Sequence, residues 1–282
     1  MEAMRRMTWK CMRKATPWIV LVFCIGAFHM AKGRTQHVPI FSEASGVTVL
    51  REGKVTIDAS NASLGYIMVK HDGSGKRLKL RNYFGDTYQT YDLNSQGRYE
   101  AFPLINGDGT YKVVVLENVK DADYAQVASQ DVSVRMDSEY APFLVPNQYV
   151  RYTARTQAVE LSKELCAGVE DDWAKVELLY EYVSGNIIYD YMKALTVRNP
   201  YYPSVDETLA AGTGICLDYT ALLACMLRVQ GIPTMLVVGD LLPTGQRHAW
   251  NKVFVGGDWV QMDPTFPSDI YKQSDYVDLY FY

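Results

Sequence analysis

The stretch "GTGICLDYTALLACMLRVQGIP", residues 212–233, sets Cys216 between a pair of closely spaced glycines and an apolar run with helical periodicity. From Cys216 to Val229 the run is apolar on nearly every side, and Gly231 and Pro233 follow it in the order a helix C-terminus prefers. That pattern predicts a buried central helix. A thiol at its start meets unsatisfied backbone N–H groups and the positive end of the helix dipole, both of which favour thiolate over thiol. Cys216 is therefore a candidate nucleophile. On this reading Gly212 and Gly214 keep the backbone beside the thiol open for a substrate to lie across it.

Working outward, "EDDWAKVELLYEYVSGN" (170–186) has acids in its first turn, Trp173, Val176, Tyr180 and Val183 on one face, and Gly185 with Asn186 as a stop. It predicts a second helix. Residues 191–204, with Pro200 and Pro203 around Tyr201 and Tyr202, read as an aromatic-rich loop. After the central helix come three strand patterns, "TMLVVGDL" (234–241), "RHAWNKVFV" (247–255) and "DWVQMDPTF" (258–266), the last two joined at Gly256-Gly257. Helices followed by an antiparallel sheet make this half α+β.

A nucleophilic thiol needs a base, and of the four histidines, His29, His37, His71 and His248, only the last lies in this half. If Gly256-Gly257 is a two-residue hairpin turn, Val255 faces Asp258, Trp250 faces Asp263 and His248 faces Thr265. His248 and Asp263 then become diagonal neighbours on one face of the ribbon, ~7–8 Å apart at Cα, a gap the two side chains can close with a hydrogen bond. An aspartate so placed would fix the imidazole tautomer and stabilise its protonated form. A three-residue loop would put one partner on the opposite face.

Upstream, residues 46–136 contain eight short strand patterns separated by turn signals such as Glu52-Gly53, Asp72-Gly73 and Asn106-Gly107-Asp108-Gly109, the count and punctuation of a β-sandwich. "DSEYAPFLVPNQYVRYT" (137–153), with its two prolines, reads as an exposed crossing where proteases would cut first. The expected organisation is a sandwich at 41–136 and a second domain at 150–282.

Ahead of both, Arg5, Arg6, Lys10, Arg13 and Lys14 precede an apolar run from Trp18 to Phe28 and the small residues Ala31 and Gly33. Residues 1–33 thus read as a signal peptide, or an uncleaved N-terminal anchor, and the protein as secreted or surface-held. That leader holds six basic residues and one acidic, so its removal takes the formal charge from −4 to −9, which disfavours nucleic acid as a partner. Membrane contact is expected only through a retained leader. Cys166, Cys216 and Cys225 remain, and an odd number in an exported chain leaves at least one thiol unpaired. Cys216 and Cys225 lie ~13 Å apart along one helix and cannot pair, whereas a Cys166–Cys225 bridge stays open beside two buried thiols. No His, Cys or Asp cluster has metal-ligand spacing and no carboxylate pair stands out, so neither a metal, a cofactor nor glycosidase chemistry is expected.

Residues 150–265, most densely in "GTGICLDYTALLACMLRVQGIPTMLVVGDL", "HAWNKVFV" and "WVQMDPT", resemble the transglutaminase-like superfamily, which is papain-related in its chemistry. The resemblance implies Cys216 as nucleophile, His248 as general base and acid, and Asp263 as orienter. It also notes Asp218, an acidic position frequent two residues after the cysteine in bacterial members. The implied activity is acyl transfer on peptide or protein amides through a thioester, by hydrolysis or by transamidation. The competing expectation is a non-catalytic surface or wall-binding protein that uses the fold as scaffold.

Overall fold

The computed structural model describes residues 38–266 and 271–282, and in its first half β-strand patterns pack into two sheets. The expected leader at 1–33 lies outside the described residues. Eight strands, β1 (Val49–Glu52), β2 (Val55–Asp58), β3 (Tyr66–His71), β4 (Leu78–Phe84), β5 (Thr87–Leu93), β6 (Glu100–Pro103), β7 (Gly109–Lys120) and β8 (Asp123–Val134), form two four-stranded antiparallel sheets, ordered β1-β2-β3-β6 and β5-β4-β7-β8. Ile57, Ile67 and Val69 of the first sheet and Leu80, Val113 and Val115 of the second belong to one apolar cluster. On the first sheet's other face, Tyr66 and Met68 pack with Val145 of the crossing. Strand β8 follows a turn made at Asp121, which takes φ 50° and carries no glycine signal.

The second half follows as α1 (Gln157–Leu165), α2 (Asp172–Asn186), β9 (Ile188–Tyr189), α3 (Tyr191–Thr196), α4 (Val205–Ala211), β10 (Thr213–Gly214), α5 (Cys216–Val229), β11 (Thr234–Leu241), β12 (Gln246–Val255), β13 (Asp258–Met262) and β14 (Tyr276–Phe281). Every residue of α5 from Asp218 to Val229 is buried. Around it pack α1, α2 and α4 on one side and the antiparallel sheet β13-β12-β11-β14 on the other. The α+β class is as the periodicities required. Among the described residues no helix is long and apolar enough to cross a membrane.

Three local expectations change. Helix α2 buries Val176, Leu179 and Val183, while Trp173 stays 41% exposed and lies over the Gly256 turn. Residues 191–204 are not all loop, because the Asp190 side chain accepts the Lys193 N–H at 2.8 Å and starts α3. Strand β14 is an addition. Gly239 marks it, since a Cβ there would come within 2.0 Å of the Val277 backbone oxygen and 2.4 Å of the Trp250 ring.

The crossing is not an exposed linker. Ala141, Pro142, Phe143, Val145, Asn147 and Gln148 are all buried, and Arg228, near the end of α5, is the reason. Its guanidinium, wholly buried, donates to the backbone oxygens of Val145 (2.6 Å), Thr234 (3.0 and 2.7 Å) and Tyr282 (2.9 Å). One cation thereby ties the crossing, the end of α5, the start of β11 and the end of β14. Burial pushes its pKa down to about 10, which leaves it charged at neutral pH. The described residues form a single compact unit, in which the Tyr202 hydroxyl reaches Asp92 of β5 and the Tyr149 ring lies 3.9 Å from Tyr282.

Arg228→Ala should destabilise the protein by about 3–5 kcal/mol, because it strands buried backbone oxygens and opens a cavity. Urea unfolding checks the magnitude. Limited proteolysis should find residues 141–150 resistant in the wild type and cleavable in the variant. Rapid cutting there in both would contradict the clamp.

Candidate active site

Cys216 sits at the first position of α5 because of what precedes it. Helix α4 ends at Gly212, whose φ of 64° turns the chain, and Thr213–Gly214 then pairs in parallel with Ile188–Tyr189. Ile215 is extended and leads directly into the helix. The side chain of Asp218 folds back to accept the Ile215 N–H at 2.8 Å, satisfying a donor that the helix start leaves unpaired. Gly214 is required by this fold-back: a Cβ on it would lie 2.7 Å from the Asp218 Cβ.

Asp218 is completely buried and accepts two further bonds, from the Lys193 ammonium at 2.7 Å and from the Tyr201 hydroxyl. The carboxylate therefore does more than complement the helix dipole. It joins α3 and the 197–204 segment to the start of α5. Sequence reasoning missed Lys193 and Tyr201, whose partner lies on a different element.

The strands behind the helix deliver the other two residues. Pairing of β12 with β13 runs from Val255↔Asp258 to Asn251↔Met262, the register of a two-residue turn at Gly256-Gly257, where both glycines take positive φ (65° and 90°). Asp263 is the next residue after β13, and His248 Nε2 lies 2.7 Å from its Oδ2. Asp263 is held from all sides: Oδ1 accepts the N–H groups of Thr265 (2.9 Å) and Phe266 (3.4 Å), Oδ2 also accepts the Tyr276 hydroxyl (3.0 Å), and its backbone oxygen accepts the Tyr180 hydroxyl (2.9 Å). A carboxylate so saturated is fixed in direction.

With Nε2 committed to Asp263, Nδ1 is the ring nitrogen left free of that bond, and Cys216 lies close enough to His248 to act on its charge. Phe266 covers the imidazole at 5.0 Å between ring centres, and Trp250 and Tyr276 flank it at 6.2 and 6.4 Å. Burial opposes the charged imidazole, but the bond and charge of Asp263, together with Cys216, outweigh it and push the His248 pKa up to about 9. Tyr276 escaped sequence reading, since strand β14 was not recognised, and Phe266 closed the last strand pattern with no role attached. Cys216 is partly exposed, whereas Cys166 and Cys225 are buried and unpaired, so the open bridge between them does not form. Burial raises the pKa of both thiols.

The structure therefore brings Cys216, His248 and Asp263 together. The Tyr201 and Tyr202 hydroxyls are bonded to Asp218 and Asp92 and so are engaged away from the thiol. The Cys216 N–H, at the first turn of α5, has no acceptor within its own helix. Among the described residues no group of three His, Cys, Asp or Glu side chains could hold a metal ion.

Residues 159–264 match the profile of the transglutaminase-like superfamily. No curated protein matches the chain. Solved structures similar to it include a candidate cysteine protease from Cytophaga hutchinsonii, at 16% identity over 83% of this chain and 73% of that one, with a TM-score of 0.43. Two others are the periplasmic domain of TgpA from Pseudomonas aeruginosa (16% identity, 78% and 94% coverage, TM-score 0.33) and LapG from Legionella pneumophila (19%, 46% and 86%, TM-score 0.33).

Asp263→Asn tests the pairing through pH. A step that needs imidazolium declines as pH rises through about 9, the His248 value. The amide removes the charge that raises this value and leaves burial, which lowers it, so the alkaline limb should move down by roughly one unit or more. Turnover should fall on the order of a hundredfold or more. An unchanged limb would show that the carboxylate does not act on the imidazole. Inserting one residue between Gly256 and Gly257 should abolish activity by breaking the register.

Proposed function

We propose, from the match of residues 159–264 to the transglutaminase-like superfamily, that the chain is an exported cysteine enzyme that transfers acyl groups from peptide or protein amides. The observation that carries this reading is the His248–Asp263 bond of 2.7 Å beside a partly exposed thiol at a helix start. Secretion or display at the cell surface rests on the sequence pattern of residues 1–33.

In this reading Cys216 gives its proton to His248 Nδ1, and the thiolate attacks the amide carbonyl carbon. The C–S bond forms as the carbonyl electron pair moves onto oxygen, where the Cys216 N–H can donate to it. Collapse restores C=O and breaks C–N, and the departing amine takes the proton from His248. Asp263 holds the imidazole throughout and stabilises its cation. The thioester then reacts with a second nucleophile, whose proton passes to His248 while the thiolate leaves.

Water is the proposed second nucleophile. For an amine to compete with water at ~55 M, the site needs walls that exclude solvent. Phe266, Trp250 and Tyr276 enclose the imidazole, but other aromatics that could extend such walls are engaged elsewhere. Trp173 lies over the Gly256 turn, and Tyr201 and Tyr202 are bonded to Asp218 and Asp92. Hydrolysis of a peptide bond therefore fits this site better than cross-linking.

Iodoacetamide followed by peptide mapping should label Cys216 well ahead of Cys166 and Cys225, and His248→Ala should slow that labelling. The reaction is assayed by incubating the protein with a panel of glutamine-containing proteins and a fluorescent primary amine, while scoring new N-termini. New N-termini in excess of incorporated amine are expected. Amine incorporation without cleavage would replace hydrolysis by transamidation. Neither product, with Cys216 no more reactive than the other two thiols, would support a scaffold in place of an enzyme.

A further inference from the structure

Helix α3 exposes what a short helix ordinarily hides. None of its residues is buried; Tyr191, Met192 and Leu195 are 74%, 69% and 81% exposed, and Ile188 just before it is 71% exposed. Leaving four large apolar side chains in water forgoes the stabilisation their burial would give. A helix of one and a half turns does not hold itself together, so the surrounding bonds must keep this surface in place.

Those bonds all lead to Cys216. Ile188 N–H donates to Gly212 O at 2.8 Å and Asp190 N–H to Gly214 O at 2.9 Å, which fastens the approach to α3 onto the strand that runs into the cysteine. Lys193 is pinned to buried Asp218 at 2.7 Å and lies over the Tyr201 ring at 4.9 Å. The Tyr191 ring lies 5.0 Å from Tyr189. Tyr189 in turn is close enough to Cys216 for the two to interact electrostatically, which helps burial push its hydroxyl up to about 12. These contacts fasten α3 beside the segment that carries Cys216.

We propose that Ile188, Tyr191, Met192 and Leu195 form a ledge that binds apolar side chains of the acyl-donor peptide next to the amide presented to Cys216. The inference rests on the acyl-transfer reading and adds its substrate class: peptides with apolar residues flanking the reactive amide. A six-residue helix is ~9 Å long and an extended peptide advances ~3.3 Å per residue, so the ledge spans two to three substrate residues. The Lys193–Asp218 pair sets its distance from the thiol, and Asp218 is a positioning residue in this scheme.

The test is a double variant, Met192→Ser with Leu195→Ser, in two exposed positions whose side chains support no core. Fluorogenic peptides that differ only in carrying Leu or Ser beside the reactive amide are turned over by both proteins. For the Leu peptide the variant should raise KM roughly tenfold with kcat within about twofold, while the Ser peptide is unaffected. Iodoacetamide labelling of Cys216 should not change. Equal KM values for wild type and variant would overturn the ledge, as would a wild type that does not distinguish the peptides.

Binding of the labelled Leu peptide to Cys216→Ala, followed by fluorescence anisotropy, separates this inference from the catalytic one. Binding that the double substitution weakens, with no turnover in the wild type, would sustain the ledge and reject the enzyme. A variant that instead loses only its attachment to phosphatidylglycerol vesicles, or only its self-association, with KM unchanged, would assign the surface to a membrane or to a second copy and overturn the proposal.

Discussion

The two-residue turn at Gly256-Gly257 is the constraint on which the site depends. Side chains on a strand alternate, so the turn's length decides whether His248 and Asp263 share a face or lie on opposite ones. Both glycines take positive φ, and a Cβ on Gly256 would also strike Trp173 of α2 at 2.8 Å. The same turn therefore sets the register of β12 against β13 and receives α2, which carries Tyr180 to the backbone of Asp263. Geometry at the carboxylate follows from geometry at the turn, seven residues away in sequence.

The helix that carries Cys216 is fixed at both ends by buried charge. Asp218 at its start gathers the Ile215 N–H, Lys193 and Tyr201, and Arg228 near its end gathers the backbone oxygens of Val145, Thr234 and Tyr282. Apolar packing along the middle of α5 is strong but not directional, and alone it would allow the helix to slide or rotate. The charged ends need particular partners at particular distances, since a buried charge without them is costly. These contacts give a thiol on a packed helix a defined position relative to an imidazole on a sheet.

Much of this was legible in the sequence because it is periodic or local. All eight strand patterns of the first half, the helix from Cys216 to Val229, the strand at 234–241 and the register across Gly256-Gly257 correspond to observed elements. What sequence reading missed depends on distant partners. Strand β14 begins with Tyr276, which completes the shell around Asp263, and its pairing partner lies some forty residues upstream. Only Gly239, an isolated glycine within a strand, hinted at a close neighbour. Trp173 satisfied a helical stripe yet is exposed, because the sheet edge ends at the turn beneath it. The prolines at 142 and 146 suggested an exposed linker, whereas the segment is buried by an arginine more than eighty residues further on.

The central claim is that Cys216 forms a thioester with His248 and Asp263 as its partners, and intact mass measurement after mixing with an activated acyl ester tests it most directly. The account predicts a single acyl adduct that maps to Cys216, is discharged by hydroxylamine, and is absent or greatly slowed in His248→Ala. No adduct in the wild type, or one that forms equally in His248→Ala, would contradict it.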